Sequence, residues 1–359
     1  MKITRLRTSV ASIPFDPPID IGTGVLRSSG CVMVFLETDQ GVVGEGLVSS
    51  LNGQGLPMID AIVHSMEPHV LGLDPTLSGA FSIKAGAQAR AFGHAGISIV
   101  ALAAIENALW DLRAKLLGVN VSRLIGACRT SVPCYQSDEL WIALTIDELQ
   151  RSAAKQVDKG FRAMKMRLKG TTEDVARVRA VREAIGPDVA LMADLNQKLR
   201  VPAAIRLGRD LEEFKLAWIE EPVAFHNHAG EAQVAAALDT PIASGESVYT
   251  SKGVREMLQL GSVDVLMPDL QRMGGPGEFI KAAHLAEAFD IPVSGHLFPE
   301  MSLALMASLP NAAIVEVMPW ASPLYKEKIE LNDKGEAIVP DRAGWGFSLD
   351  PKAIESLKV

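Results

Sequence analysis

Residues 189–247, VALMADLNQKLRVPAAIRLGRDLEEFKLAWIEEPVAFHNHAGEAQVAAALDTPIASGES, decide the fold. Three short apolar runs, Val189 to Ala193, Leu216 to Ile219 and Pro241 to Ala243, are separated by Val201 to Glu213 and Gly230 to Leu238, in which apolar residues recur every three or four positions. The short runs read as buried strands and the longer periodic segments as helices. Strands joined through single helices run parallel, because each helix carries the chain back to the edge where the previous strand began. Every run also ends in acid: Asp194, Glu220, and Glu246 just past the third.

Outward from this stretch the alternation continues. Val132 to Gln136, Phe161 to Met166, Val263 to Met267, Ile291 to Ser294 and Ala313 to Val317 bring the strands to eight. Thr145 to Lys159, Thr172 to Ile185, Ser251 to Leu260, Pro276 to Phe289 and Met301 to Leu309 bring the helices to seven. Thr145 ahead of Glu148, and Thr171 and Thr172 ahead of Glu173, are helix-start signals, and Gly160 and Gly186 are stops. The pattern predicts an α/β fold, a TIM barrel modified to (β/α)7β, over residues 126–320. Residues 1–125 differ. Met33 to Thr38 and Val42 to Leu47 flank a turn at Asp39 to Gly41, Lys2 to Ala11 adds a third strand, and Ile97 to Leu117 is a helix stopped by Gly118, so a separate α+β module is expected. The Gly/Ser-rich stretches Gly22 to Gly30 and Ser49 to Gly55 read as its loops. The tail, 321–359, has turn signals at Asn332 to Gly335 and Asp341 to Gly346; it reads as too irregular to extend the barrel and is expected to pack back on the first module.

Composition narrows the function. With 48% hydrophobic and 22% charged residues the chain is an ordinary globular one. A net charge of −8 without a basic run excludes a nucleic-acid partner. Gly96 to Ile105 and Met301 to Val315 are too short to span a bilayer, so no membrane partner is expected, and MKITRLRTSV lacks the apolar core of a signal peptide, which points to the cytoplasm. Cys31, Cys128 and Cys134 lack CxxC spacing and read as buried small apolar residues.

In a barrel the chemistry sits at the C-terminal ends of the strands. Asp194 to Glu220 and Glu220 to Glu246 are each 26 residues, one βα unit, and Asp269 and His296 follow after 23 and 27. Three carboxylates converging there repel one another and lose hydration, which a divalent cation resolves; all-oxygen ligation favours Mg²⁺ or Mn²⁺ over Zn²⁺. Lys165 and Arg167, two apart, share one strand face and balance a substrate carboxylate or the ligands themselves. His296 and Asp269 are a candidate base and its orienting partner, and Glu316 is placed to give a proton to a developing oxyanion. His64, His69, His94 and His284 read as core histidines. His226 and His228 form an HxH pair without supporting acids, and Gly274, Gly275 and Gly277 read as a tight turn, since no P-loop Lys-Ser/Thr follows.

The stretches GFRAMKMR, MADLNQ, WIEEP, SGES, MPDLQRMGG, SGHLF and VEV, in this order over essentially the whole chain, resemble the enolase superfamily, within its mandelate racemase/muconate lactonizing enzyme family the mandelate racemase branch. The resemblance implies Asp194, Glu220 and Glu246 as Mg²⁺ ligands, His296 with Asp269 as the base dyad, and Glu316 as the electrophilic acid. It implies that Lys165 neutralises the substrate carboxylate, that Asn196 touches the substrate hydroxyl, and that Ser137 contacts the carboxylate. It further implies an N-terminal capping domain, completed by the C-terminal tail, whose segments Ile13 to Ser28 and Ser49 to Leu56 choose a small hydroxy carboxylate. A homo-oligomer, often an octamer, is implied as well. One residue departs from the branch: Arg167 stands where mandelate racemase has a second catalytic lysine. An arginine, with a pKa above about 12, is a poor general base. One base suffices for β-elimination, so dehydration of an acid sugar to a 2-keto acid is placed ahead of racemisation of a 2-hydroxy acid. A non-catalytic barrel binding a metal-chelating acid is the alternative of another class.

Overall fold

The computed structural model describes residues 1–21, 24–91 and 93–359. The chain opens with an antiparallel sheet of β1 (Ile3–Asp20), β2 (Val25–Thr38) and β3 (Val43–Leu51), in that order, followed by α1 (Leu56–Ser65), α2 (Ser78–Ala89), α3 (Ile97–Leu116) and α4 (Val121–Ile125). The sheet holds α3 at close range. A Cβ on Gly46 would lie 2.3 Å from the Ala104 carbonyl oxygen and 2.5 Å from the Ala108 nitrogen, so only glycine lets β3 approach the small-residue face of that helix.

The barrel runs through β4 (Ser131–Leu140), α5 (Ile146–Asp158), β5 (Ala163–Arg167), α6 (Glu173–Ile185), β6 (Ala190–Asp194), α7 (Val201–Leu211), β7 (Trp218–Glu220) and α8 (His228–Ala235). It continues through β8 (Ile242–Ser244), α9 (Thr250–Leu260), β9 (Val265–Leu266), α10 (Pro276–Glu287), β10 (Val293–Gly295), α11 (Pro299–Met306) and β11 (Ala312–Val317). Neighbouring strands pair in parallel, and β11 pairs with β4 to close the ring. All eight strands and seven helices expected from the alternation are present, and β11 leads into a 3₁₀ turn at Ser322–Leu324 rather than an eighth α-helix. The Thr145 capping box fixes the start of α5, with Glu148 N donating to Thr145 Oγ1 and Thr145 N to Glu148 Oε2.

Strand periodicity sorts the side chains into two sets. Met164, Met166, Leu191, Ala193, Ile219 and Ile242 belong to the core between strands and helices, whereas Ala163, Met192, Trp218 and Ala243 fill the barrel interior. Alternation therefore turns Lys165, Arg167, Asp194 and Glu220 inward, above that apolar plug.

Several expectations need correction. The first strand runs to Asp20, not Ala11, and the Gly/Ser-rich stretches are largely sheet: Val25 and Leu26 pair with Asp20 and Ile19, and Ser49 to Leu51 pair with Cys31 to Ser29. Neighbouring backbone to bond with overrides the loop composition, and the turn shrinks to residues 52–55. Gly22 and Thr23, within the same expected loops, lie outside the described residues. The tail does extend the barrel sheet: β12 (Glu336–Ile338) pairs antiparallel with the start of β4. The last helix, α12 (Pro351–Ser356), lies against β1, where Ser12 N donates to Leu357 O; Trp345 Nε1 donates to Asn107 O of α3. Cys128 is exposed, unlike buried Cys31 and Cys134. His64, His94 and His284 are exposed and His69 is half-buried, so none is a core histidine. Among the described residues no helix is long and apolar enough to cross a membrane.

Candidate active site at the barrel mouth

The C-terminal ends of the barrel strands face a cavity of about 420 Å³ roofed by the first module. Register explains which side chains meet there. Arg167 pairs with Asp194, and Asp194 with Glu220, across β5, β6 and β7, so their side chains stand in a row on the inner wall. Lys165 lies beneath them, fully buried: its Nζ is 2.6 Å from Glu220 Oε1, 3.1 Å from Glu316 Oε1 and 3.6 Å from Asp194 Oδ2. Arg167 forms an ion pair with Asp194 Oδ2 and lies 5.3 Å from the centre of the Trp141 ring. Asp194 Oδ1 accepts from the backbone N of Asn196, which holds a left-handed turn at φ 43° and lines the cavity.

Across the mouth, Asp269 and His296 are neighbours through a parallel β-bridge beyond β9 and β10. His296 Nδ1 is 2.8 Å from Asp269 Oδ2, whose Oδ1 accepts from the backbone N of Gln271 and Arg272. Those two bonds fix the carboxylate, which in turn fixes the ring. His296 Nε2 lies 3.2 Å from Glu246 Oε2, and Arg272 Nη1 is 3.5 Å from Glu246 Oε1. Glu316, on β11, accepts from Ser137 Oγ at 2.6 Å and from Leu297 N at 2.8 Å.

Charge shapes the site. Burial disfavours the His296 cation, but Glu246, the Asp269 hydrogen bond and Glu316 outweigh it and push the imidazole up to about 9. Burial also opposes ionisation of Glu316, yet Lys165, His296, Arg167 and the Ser137 hydrogen bond hold it well below the usual carboxylate range, so it stands as an acceptor. Glu246 is likewise held low against burial by His296 and Arg272. Glu221, next to Glu220, is pushed up to about 8 by burial and by Glu246.

The residues selected from the sequence as site residues therefore lie at this mouth, in two groups: Asp194, Asn196, Glu220, Glu316 and Ser137 around Lys165 and Arg167, and Glu246 with Asp269 around His296. Among the described residues no three His, Cys, Asp or Glu side chains already enclose a metal position, because Lys165, Arg167 and His296 each lie against a carboxylate oxygen. The donors nonetheless fit a hard divalent cation. They are all carboxylate oxygens on consecutive strand ends, and the buried Asp194 Oδ2 makes ion pairs but no well-formed hydrogen bond. Gln271, Arg272, Trp141 and Trp320 are among the lining residues that escaped the sequence reading. Gln271, whose Oε1 accepts from Ser49 N of β3, and Arg272 follow Asp269 so closely that the MPDLQRMGG stretch carried their signal. Trp141 and Trp320, stacked at 6.3 Å, are far apart in sequence and carried none.

Comparison with known proteins agrees with this geometry. Residues 3–126 match the model of the mandelate racemase/muconate lactonizing enzyme N-terminal domain, and residues 148–353 the enolase C-terminal domain-like model. The chain is 34% identical to L-talarate/galactarate dehydratase of Salmonella typhimurium, covering 98% of this chain and 90% of that protein. The crystal structure of L-talarate dehydratase from Polaromonas sp. JS666, complexed with Mg and L-glucarate, superposes with a TM-score of 0.92 at 33% identity, covering 100% of this chain and 97% of that one. A racemase from Streptomyces coelicolor with bound magnesium superposes at 0.94 with 30% identity, covering 99% and 100%. With its cap and its barrel matched by the two domain models and by relatives along nearly the full length, this chain belongs to the mandelate racemase/muconate lactonizing enzyme family of the enolase superfamily.

Proposed function

We propose that this protein is a metal-dependent lyase that removes the proton α to the carboxylate of an acid sugar and dehydrates it to a 2-keto acid. The observation that carries the reading is the His296–Asp269 pair at 2.8 Å, facing the cavity beside three acidic strand ends. Asp194, Glu220 and Glu246 would hold Mg²⁺, with Mn²⁺ as a substitute. The bound ion supplies Lewis-acid stabilisation for the charge that grows on the substrate carboxylate as the α-proton leaves.

The chain's own groups do the rest. Asp269 keeps the His296 Nδ1 proton in place, and a cation held by Glu246 would offset the carboxylate charge that pushes the imidazole up, leaving Nε2 unprotonated to act as the base. Lys165, fully buried, sets a fixed positive charge against the substrate carboxylate, with Arg167 above it. Glu316, ionised beside Lys165 and Ser137, shares their protons and with them forms the hydrogen-bonding wall that faces the developing enediolate; Asn196 lies within reach of a substrate hydroxyl. The C–H electron pair becomes the enol double bond, hydroxide leaves from the neighbouring carbon with the proton His296 has taken, and the enol tautomerises to the keto acid. Arg167 is too strong a base to exchange protons on the opposite face, which favours elimination over racemisation.

The test is Mg²⁺-dependent exchange of the α-proton for deuterium over a hydroxy-acid panel, with semicarbazide reporting keto acid and Mg²⁺ binding followed by calorimetry. Exchange and keto acid are expected, both lost on chelation and reduced roughly 10²- to 10⁴-fold in His296→Asn. Inversion without keto acid would make the protein a racemase, and binding without exchange a non-catalytic barrel. A cytoplasmic homo-oligomer, with the chain divided near residues 125 and 320, is part of the same proposal; sedimentation, cell fractionation and limited proteolysis test these points.

A further inference from the structure

The cavity over the barrel mouth has two chemically different ends. At the barrel end it is lined by Arg167, Asn196, Glu246, Gln271, Arg272 and His296. At the other end the cap contributes Ile21, Leu26, Leu51, Ile59, Ile97 and Val100. The cap's remaining lining residues, Ser49, Ser50, Gln54 and Gly96, are uncharged, and Trp141, Tyr249, Leu297, Met318 and Trp320 complete the barrel's share of the wall. Among the described residues, then, the cap places no lysine, arginine or histidine on the cavity wall, and Gly22, Thr23 and Phe92, outside that set, carry no charge either. Leu51 and Ile97 are 42% and 36% exposed, apolar surface left open beside the pocket.

The cations that do line the cavity are committed to the other end. Arg167 is paired with Asp194, and Arg272 Nη1 donates to the Glu246 carbonyl oxygen at 2.7 Å while facing its carboxylate. A carboxylate placed against the cap wall would lose hydration and find no positive charge in return, whereas a hydrocarbon end would cover the exposed leucine and isoleucine.

We propose that the substrate is a hydroxy acid with a single carboxylate, whose far end is uncharged and apolar, a terminal methyl or a comparable hydrocarbon group seated against Leu26, Leu51 and Ile97. The inference rests on the α-proton chemistry above, which puts the reacting carboxylate at the barrel end. Diacids, including those the similar dehydratases are named for, are excluded by the cap of this chain.

The experiment uses sugar acids in matched triples that share stereochemistry along the chain and differ only at the last carbon: methyl, hydroxymethyl or carboxylate. An aryl-substituted 2-hydroxy acid completes the panel. The full-length protein with Mg²⁺ is assayed for α-proton exchange and turnover, and each acid is also titrated by quenching of Trp141 and Trp320 fluorescence. The expected order of kcat/KM is methyl at or above hydroxymethyl, with the diacid at least about 100-fold lower; turnover of the aryl acid alone also supports the inference. Leu51→Arg, at an exposed position, is expected to raise the diacid at least about tenfold relative to the methyl acid, by supplying the missing charge. A diacid turned over as well as its methyl partner overturns this inference and leaves the proposed function standing. No exchange with any acid overturns the proposed function, and tighter quenching by the methyl acids than by the diacids would then still support the apolar end.

Discussion

Arg167 concentrates the question of reaction type in one side chain. Its guanidinium is fixed by Asp194 on one side and the Trp141 ring on the other, a geometry that holds a permanent charge and gives it no means of taking a proton. In Arg167→Lys an amine able to lose its proton stands in the same place, so racemisation at the α-carbon is expected to rise from its wild-type level; polarimetry on a resolved hydroxy acid checks it, and an unchanged rate would remove Arg167 from the second-base position. Asp269→Asn tests the other side of the mouth. An amide donor at Oδ2 reverses the ring tautomer that the carboxylate enforces, and kcat is expected to fall roughly 10³- to 10⁴-fold with little change in KM. Equal losses in folding and activity, read from near-ultraviolet circular dichroism beside the kinetics, would point to a structural role instead.

At the scale of elements, the site depends on a cap that is pressed firmly onto its own helix. Gly46 of β3 admits α3 to within contact of the strand backbone, and Gln271 ties the same strand to the barrel through Ser49. Gly46→Ala is expected to cost about 1–3 kcal/mol, because backbone rather than a flexible side chain must give way. Thermal unfolding measures the loss, and a raised KM at temperatures well below the transition would show that the displaced β3 no longer roofs the cavity. Strand alternation in the barrel is the complementary device: the same two-residue period that packs Met164 and Met166 against the helices aims Lys165 and Arg167 at the mouth.

For the whole molecule, the informative residue is Glu300, at the start of α11. Burial pushes its carboxyl up to about 7, against a usual value near 4.5, with only a partial offset from its own backbone hydrogen bond and Lys328. A folded-state pKa above the unfolded one contributes stability fully below pH 4.5 that is lost as pH rises through 7. Glu300→Gln is therefore expected to flatten the pH dependence, gaining on the wild type by on the order of 2–3 kcal/mol at pH 8 relative to pH 4; melting temperatures across that range decide it, and parallel curves would refute it. The division between chain and fold follows the range of the forces involved. Barrel strand and helix identities, the eight parallel strands and the charged or imidazole residues at their ends were readable because periodicity and local stop signals act over a few residues, and Asp194, Glu220, Glu246, Asp269 and His296 are each fixed by position in one βα unit. The long β1, the pairing of residues 25–30 and 49–51, and the tail strand against β4 were not, since partners distant in sequence supply their hydrogen bonds. Nor could the chain by itself announce that Trp141 stacks on Trp320, that Lys165 bridges three carboxylates, or that the far wall of the cavity is apolar. Closing the barrel brings those groups together, and the energies of burial and charge pairing that define the site exist only once water has been excluded from between them.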